Sequence, residues 1–244
     1  MKKIVSRILF SIIFCFGLLI TFMLNPNLLY GHSTTYKNVT IYHNGELNQG
    51  LKQIIDLSLH TIQDCEIYST DLRSELCLNE GIYPFIIKGI LGDDVFTAFS
   101  NKIVVLGEES IEFNQFEKWG KTMNYSQFLT HALVHNLQFK RHGLWDSNPL
   151  GGHSLWKWEG YVEFVVLGEL ISLAELVEII SDSDIGDFEW VYLRNKKGTL
   201  KRHLNYLALV KYCFEVLEWD YDKLMESQVK EEVLFKELNA YIKK

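Results

Sequence analysis

The chain has 244 residues, of which 48% are hydrophobic and 23% charged, a balance that excludes a disordered protein and is long enough to bury a core. The net charge is -7, and no run of Lys and Arg follows the first few residues, which sets nucleic acid aside as a partner. Three prolines leave no proline-rich linker, and the composition does not shift enough to divide the chain, so residues 31–244 are expected to form a single domain.

The N-terminus gives the clearest organisational signal. Lys2, Lys3 and Arg7 precede an uncharged run over residues 8–24. Its length is close to the lower limit for a membrane span, about 17 residues. The following "NPNLLYGHS" has no small-x-small cleavage site. Residues 1–30 therefore read as an uncleaved signal anchor, with secretion after cleavage as the alternative. Either way the basic end stays in the cytoplasm and the remainder is exported. Cys15 lies in this run, and Cys213 reads as a buried thiol. Cys65 and Cys77 flank a polar stretch and can pair in an oxidising compartment, although their spacing does not show that they meet.

After the anchor, "GHSTTYKN" reads as a short polar stalk and residues 39–43 as a strand. Residues 47–63 have helical apolar spacing. Residues 85–87 and 102–106 read as strands, with turns at Gly92-Asp93-Asp94 and Ser100-Asn101. Asn124 or Ser126 begins the next helix, and Gly143 ends it after Lys140, Arg141 and His142. A glycine-containing loop leads to Ser154, which caps a helix from about residue 155 to 169 or beyond. An acidic loop over 181–187 and helices near 200–219, 221–225 and 229–242 complete the chain. The expected class is α+β: a small mixed or antiparallel sheet with an N-terminal helix, then helices that carry the site, then a helical C-terminal part.

The chemistry concentrates in two of these helices. His131 and His135 are four apart, so both imidazoles reach a common point. Two histidines alone do not make a zinc site, which needs a third protein ligand. On the next helix Glu159 and Glu163 also share a face, among Trp158, Val162, Phe164 and Val166. Carboxylates beside so much apolar surface are costly unless paired or ligated. A metal held by Glu159, with Glu163 bonded to a ligand imidazole, removes that cost.

The pairing of "LTHALVHNLQ" with "WKWEGYVEF" resembles the gluzincin (thermolysin-type) metallopeptidases, whose pattern is L-T-H-E-x-x-H-x-x-Q followed by W-x-x-E-G-x-A-E-Y. Leu129, Thr130, His131, His135 and Gln138 match the first element; Trp156, Glu159, Gly160, Glu163 and Phe164 match the second. The resemblance covers roughly residues 102–164. It implies gluzincin-type active-site helices, His131, His135 and Glu159 as zinc ligands, and Glu163 as support for a ligand histidine. It also implies that "NKIVVLG" is an edge strand that takes up extended peptide.

The departure is Ala132, which stands where the family has its general-base glutamate. General-base catalysis contributes about 10²–10⁴-fold, so a metal site with impaired peptidase activity is expected. Glu163 is a candidate substitute base. Tyr206 resembles the family's oxyanion-stabilising residue, with Tyr192, Tyr212 and His203 equally available. His142 and His153 are read as solvated loop residues. The leading expectation is a membrane-anchored, zinc-binding pseudopeptidase that holds peptide or protein. An active zinc hydrolase with a relocated base and a metal-free interaction domain are the alternatives.

Overall fold

The structure, a computed structural model, describes residues 2–93, 96–148, 150–182, 184–193 and 197–242. The class is α+β, as expected, and 56% of the described residues are helical. Helix α1 (Lys2–Leu24) stands apart with exposed apolar side chains. Its stretch Ser6–Leu24 has a mean hydropathy of 2.4 and is long and apolar enough to cross a membrane.

The main sheet has five strands in the order β1-β2-β3-β5-β4: β1 (His32–Tyr36), β2 (Val39–His43), β3 (Ser74–Cys77), β5 (Lys102–Val105) and β4 (Phe96–Phe99). It is mixed: β2, β3 and β5 run parallel, while β1 and β4 are antiparallel to their neighbours. Side chains alternate across it. Ile103 and Val105 enter the large core beneath α2 (Gly50–Ile62), and Val104 enters a smaller core with Tyr30, Tyr83 and Ile87 beneath α3 (Tyr83–Leu91). A three-stranded meander follows: β6 (Glu108–Ser110), β7 (Gln115–Lys118) and β8 (Lys121–Asn124).

The chain then turns helical. Helix α4 (Tyr125–Asp146) starts where the Asn124 side chain accepts from the Gln127 amide, and it is broken at Gly143, whose φ of 76° no other residue adopts cheaply. Helix α5 (Leu155–Leu167) follows, then α6 (Leu173–Ser181), set by a capping box between Ser172 and Glu175. The hairpin β9 (Trp190–Tyr192) and β10 (Gly198–Leu200) leads into α7 (Lys201–Glu215), α8 (Tyr221–Glu226) and α9 (Glu231–Ile242). At Gly160, α5 comes so close to α7 that an added Cβ would lie 2.8 Å from both the Tyr206 carbonyl and Val210 Cγ2.

Three expectations are corrected, and the open question of the Cys65–Cys77 pair is answered. The polar stalk "GHSTTYKN" is β1, turned onto β2 through Lys37 at φ 52°. Residues 85–87 lie in α3 and not in a strand: Pro84 sits in the first helical turn, where its missing N–H is harmless, whereas a sheet interior would lose a bond there. The strand at 102–105 is internal, covered by β4, and is not an edge. Cys65 and Cys77 are both free. Cys77 faces the small core, while Cys65 packs against the large core on the other side of the sheet. Residues Asp94, Ser183 and Asn195, which fall within or beside expected turns and loops, lie outside the described residues.

Candidate metal centre

Helices α4 and α5 bring three ligand atoms together. His131 Nε2 and His135 Nε2 are 3.1 Å apart, and Glu159 Oε2 lies 3.4 Å from the first and 3.3 Å from the second. Three ligands at about 2.0–2.1 Å from a tetrahedral zinc are separated by about 3.3–3.4 Å. The triangle therefore has the dimensions of one face of such a tetrahedron, and the three residues can hold a metal ion.

Neighbouring groups fix the orientation of the imidazole. Gln138 Nε2 donates to the Trp158 carbonyl at 3.0 Å, which leaves Gln138 Oε1 to accept from His135 Nδ1 at 2.9 Å. With the proton on Nδ1, His135 Nε2 presents its lone pair to the triangle. Burial pushes the His135 pKa down, but the Glu159 carboxylate outweighs it and the net shift is upward. Burial pushes the Glu159 pKa up, and His135 with His131 reverses this, holding the carboxyl well below its usual range. A charged carboxylate beside two imidazoles suits a divalent cation.

Glu163 is 2% exposed and sits behind this triangle. Its Oε1 accepts from Thr199 Oγ1 at 2.8 Å and lies 3.0 Å from His203 Nδ1. His131 Nδ1 is farther, at 3.7 Å, so the nearer imidazole partner of Glu163 is His203 and not a ligand of the triangle. Burial raises the Glu163 pKa, but His203 lowers it below the usual carboxylate value. Burial lowers the His203 pKa, and Glu163 raises it above the usual value. Glu163 Oε2 is buried without a hydrogen-bond partner among the described residues.

The triangle opens into a cleft of about 730 Å³. Ala132, the position of the absent glutamate, lines it, as do His203 and Tyr206. Tyr206 lies in the second turn of α7 and not at its start, and its Oη accepts from Arg202 Nε at 2.5 Å. Of the alternatives to Tyr206, only His203 joins it in the cleft; Tyr212 packs on Tyr241, and the half-exposed Tyr192 faces the Thr122 carbonyl. His142 and His153 are not free loop residues. His142 is inside α4, 2.8 Å from Tyr221 Oη, and His153 stacks on Trp158.

Strands line the cleft from two sides: β8, the outer strand of the meander, contributes Lys121 and Met123, and the hairpin β9–β10 contributes Trp190, Thr199 and Leu200. The sequence offers His203 only as an alternative to Tyr206, and nothing in it points to Thr199 or to the contact of either residue with Glu163. They are some forty residues from Glu163, and β10 and the start of α7, packed on α5, bring them to it. The chain matches no family model, no curated protein and no solved structure among those with which it was compared.

Proposed function

We propose that this chain is a membrane-tethered, exported, gluzincin-like domain that binds zinc and captures peptide or protein without efficient cleavage. The observation that carries the reading is the His131–His135–Glu159 triangle at tetrahedral spacing beside Ala132, a residue with no proton to take or give. Zinc bound there would supply Lewis acidity toward a carbonyl and lower the pKa of its water. His131, His135 and Glu159 would hold it, Gln138 orients His135, and no carboxylate follows His131 to accept the proton. The outer position of β8 along the cleft supports uptake of an extended peptide by strand addition. The uncharged α1, with Lys2, Lys3 and Arg7 at its start, supports a single span with the domain on the far side.

The test is metal analysis of the full chain, purified in detergent under zinc-replete conditions, with a peptide-library digest alongside. About one zinc per chain, lost in His131→Ala, with no cleavage supports the reading. A metal-free protein refutes it and leaves a metal-free interaction domain. One observation favours a second reading, an active hydrolase: the His203–Glu163 pair beside the triangle supplies an imidazole backed by a carboxylate. In that case turnover is chelator-sensitive and falls in both His203→Gln and Glu163→Gln.

A further inference from the structure

Helix α3 carries two apolar faces. Tyr83, Pro84 and Ile87 are buried, and Tyr83 and Ile87 belong to the small core. The residues left outside also fall at helical intervals: Ile82, Phe85, Gly89 and Ile90, with half-exposed Ile86 between them. Phe85 is 76% exposed, and the nearest charge is Lys88, which borders the stripe one turn from Phe85 and pairs with Asp93 at 2.8 Å. Residues at steps of three and four form one line along a helix, so these side chains make a contiguous patch and not scattered singles.

The place of the stripe suggests what covers it. Tyr83 Oη donates to the Met23 carbonyl at 2.8 Å, and Met23 and Leu29 pack on the small core beside Tyr83 and Ile87. Met23 is in the last turn of α1, so α3 is fastened to the foot of that helix. Leu24 ends α1 exposed, and Leu28, in the turn that follows, is exposed as well. The apolar surface thus continues from α1 to α3.

We propose that α3 lies in the boundary between headgroups and acyl chains of the bilayer that α1 enters, with Ile82, Phe85 and Ile90 against lipid. This rests on the reading of α1 as a membrane span. Lipid is favoured over a protein partner by continuity: a neighbour of α3 at the foot of α1 shares its space with whatever surrounds Leu24. Helices with one such face settle about 5–10 Å into that boundary.

Nitroxide labels on the full chain in phosphatidylcholine–phosphatidylglycerol vesicles test this, read by collision with oxygen and with a water-soluble nickel complex. The native Cys15 reports on α1. A Phe85→Cys substitution in a Cys15→Ser background reports on α3; Cys77 and Cys213 are buried, and burial holds the half-buried Cys65 thiol up at about 11. The expected result is preferential oxygen collision at both positions, shallower at 85 than at 15. A lipid reading at 15 with nickel collision at 85 overturns the inference and leaves the span intact. Screening from both reagents at 85 also overturns it, because a protein then covers the stripe. Nickel collision at 15 overturns the span itself, and this inference with it.

Discussion

On the proposed function, position 132 is what separates binding from turnover. Ala132 is buried at the cleft wall next to a ligand histidine, so Ala132→Glu places a carboxylate beside the triangle. The expected outcome is zinc-dependent peptidase activity above that of the parent by about 10²–10⁴-fold, read in a peptide digest. No gain would mean that the remaining groups of the cleft do not support the reaction. The triangle also sets a pH window for the metal-free chain. Glu159 is held below its usual pKa, so its contribution to stability is present above the unfolded value and is lost as pH falls through the folded one. His135 is raised, so its contribution is present below its unfolded pKa and is lost as pH rises through the folded one. The chelated protein should melt highest between these limits, and bound zinc should be released in acid as the imidazoles protonate. Glu109 gives an independent check. Burial pushes it up to about 7, against a hydrogen bond from Tyr125. A carboxyl that binds its proton more tightly when folded loses stability as pH rises from about 4.5 to 7. Glu109→Gln should therefore raise the melting temperature at pH 8 and leave it nearly unchanged at pH 4.

At the scale of elements, α5 and α7 approach closely at Gly160. A methyl there meets the Tyr206 carbonyl and Val210 at 2.8 Å, so Gly160→Ala should destabilise by about 1–3 kcal/mol in thermal melts. Glu159 is the adjacent residue, so zinc affinity should fall as well, which separates this substitution from a remote core change. The same elements show what the sequence makes readable. Histidines four apart on α4 and glutamates four apart on α5 are local patterns, visible because a helix repeats within a few residues. The contact of Glu163 with His203 and Thr199 joins residues 36 or more apart, and no local spacing carries it. β1 is hidden in the sequence because its burial is slight and its residues are mostly polar, so it lacks the alternation that marks β2. Residues 85–87 are β-branched or aromatic and mimic a strand; Pro84 was the sign against it. The meander β6–β8 and the hairpin β9–β10 have strands of three or four residues, too short for a period-two signal.

At the scale of the whole molecule, the segment after α1 belongs to the folded body. Tyr30, at the end of the expected anchor region, is 8% exposed, donates to the Leu78 carbonyl at 2.6 Å, and packs on Tyr42 and Tyr83. A chain beginning at residue 31 loses all of this and should be less stable than one beginning at residue 25, by about 2–4 kcal/mol in denaturant titrations. Equal stability would show that Tyr30 adds nothing to the small core. The opposite faces taken by Cys65 and Cys77 mean that folding does not rely on an oxidising compartment for that bond.

Only residues 25–31 separate α1 from β1. Fully stretched they span about 25 Å, and the 3-10 turn Pro26–Leu28 shortens that reach. With α1 in a bilayer, the domain has almost no freedom to swing outward. On the proposed reading, capture of polypeptide then takes place at the lipid surface, where juxtamembrane loops and chains emerging from the bilayer are within reach.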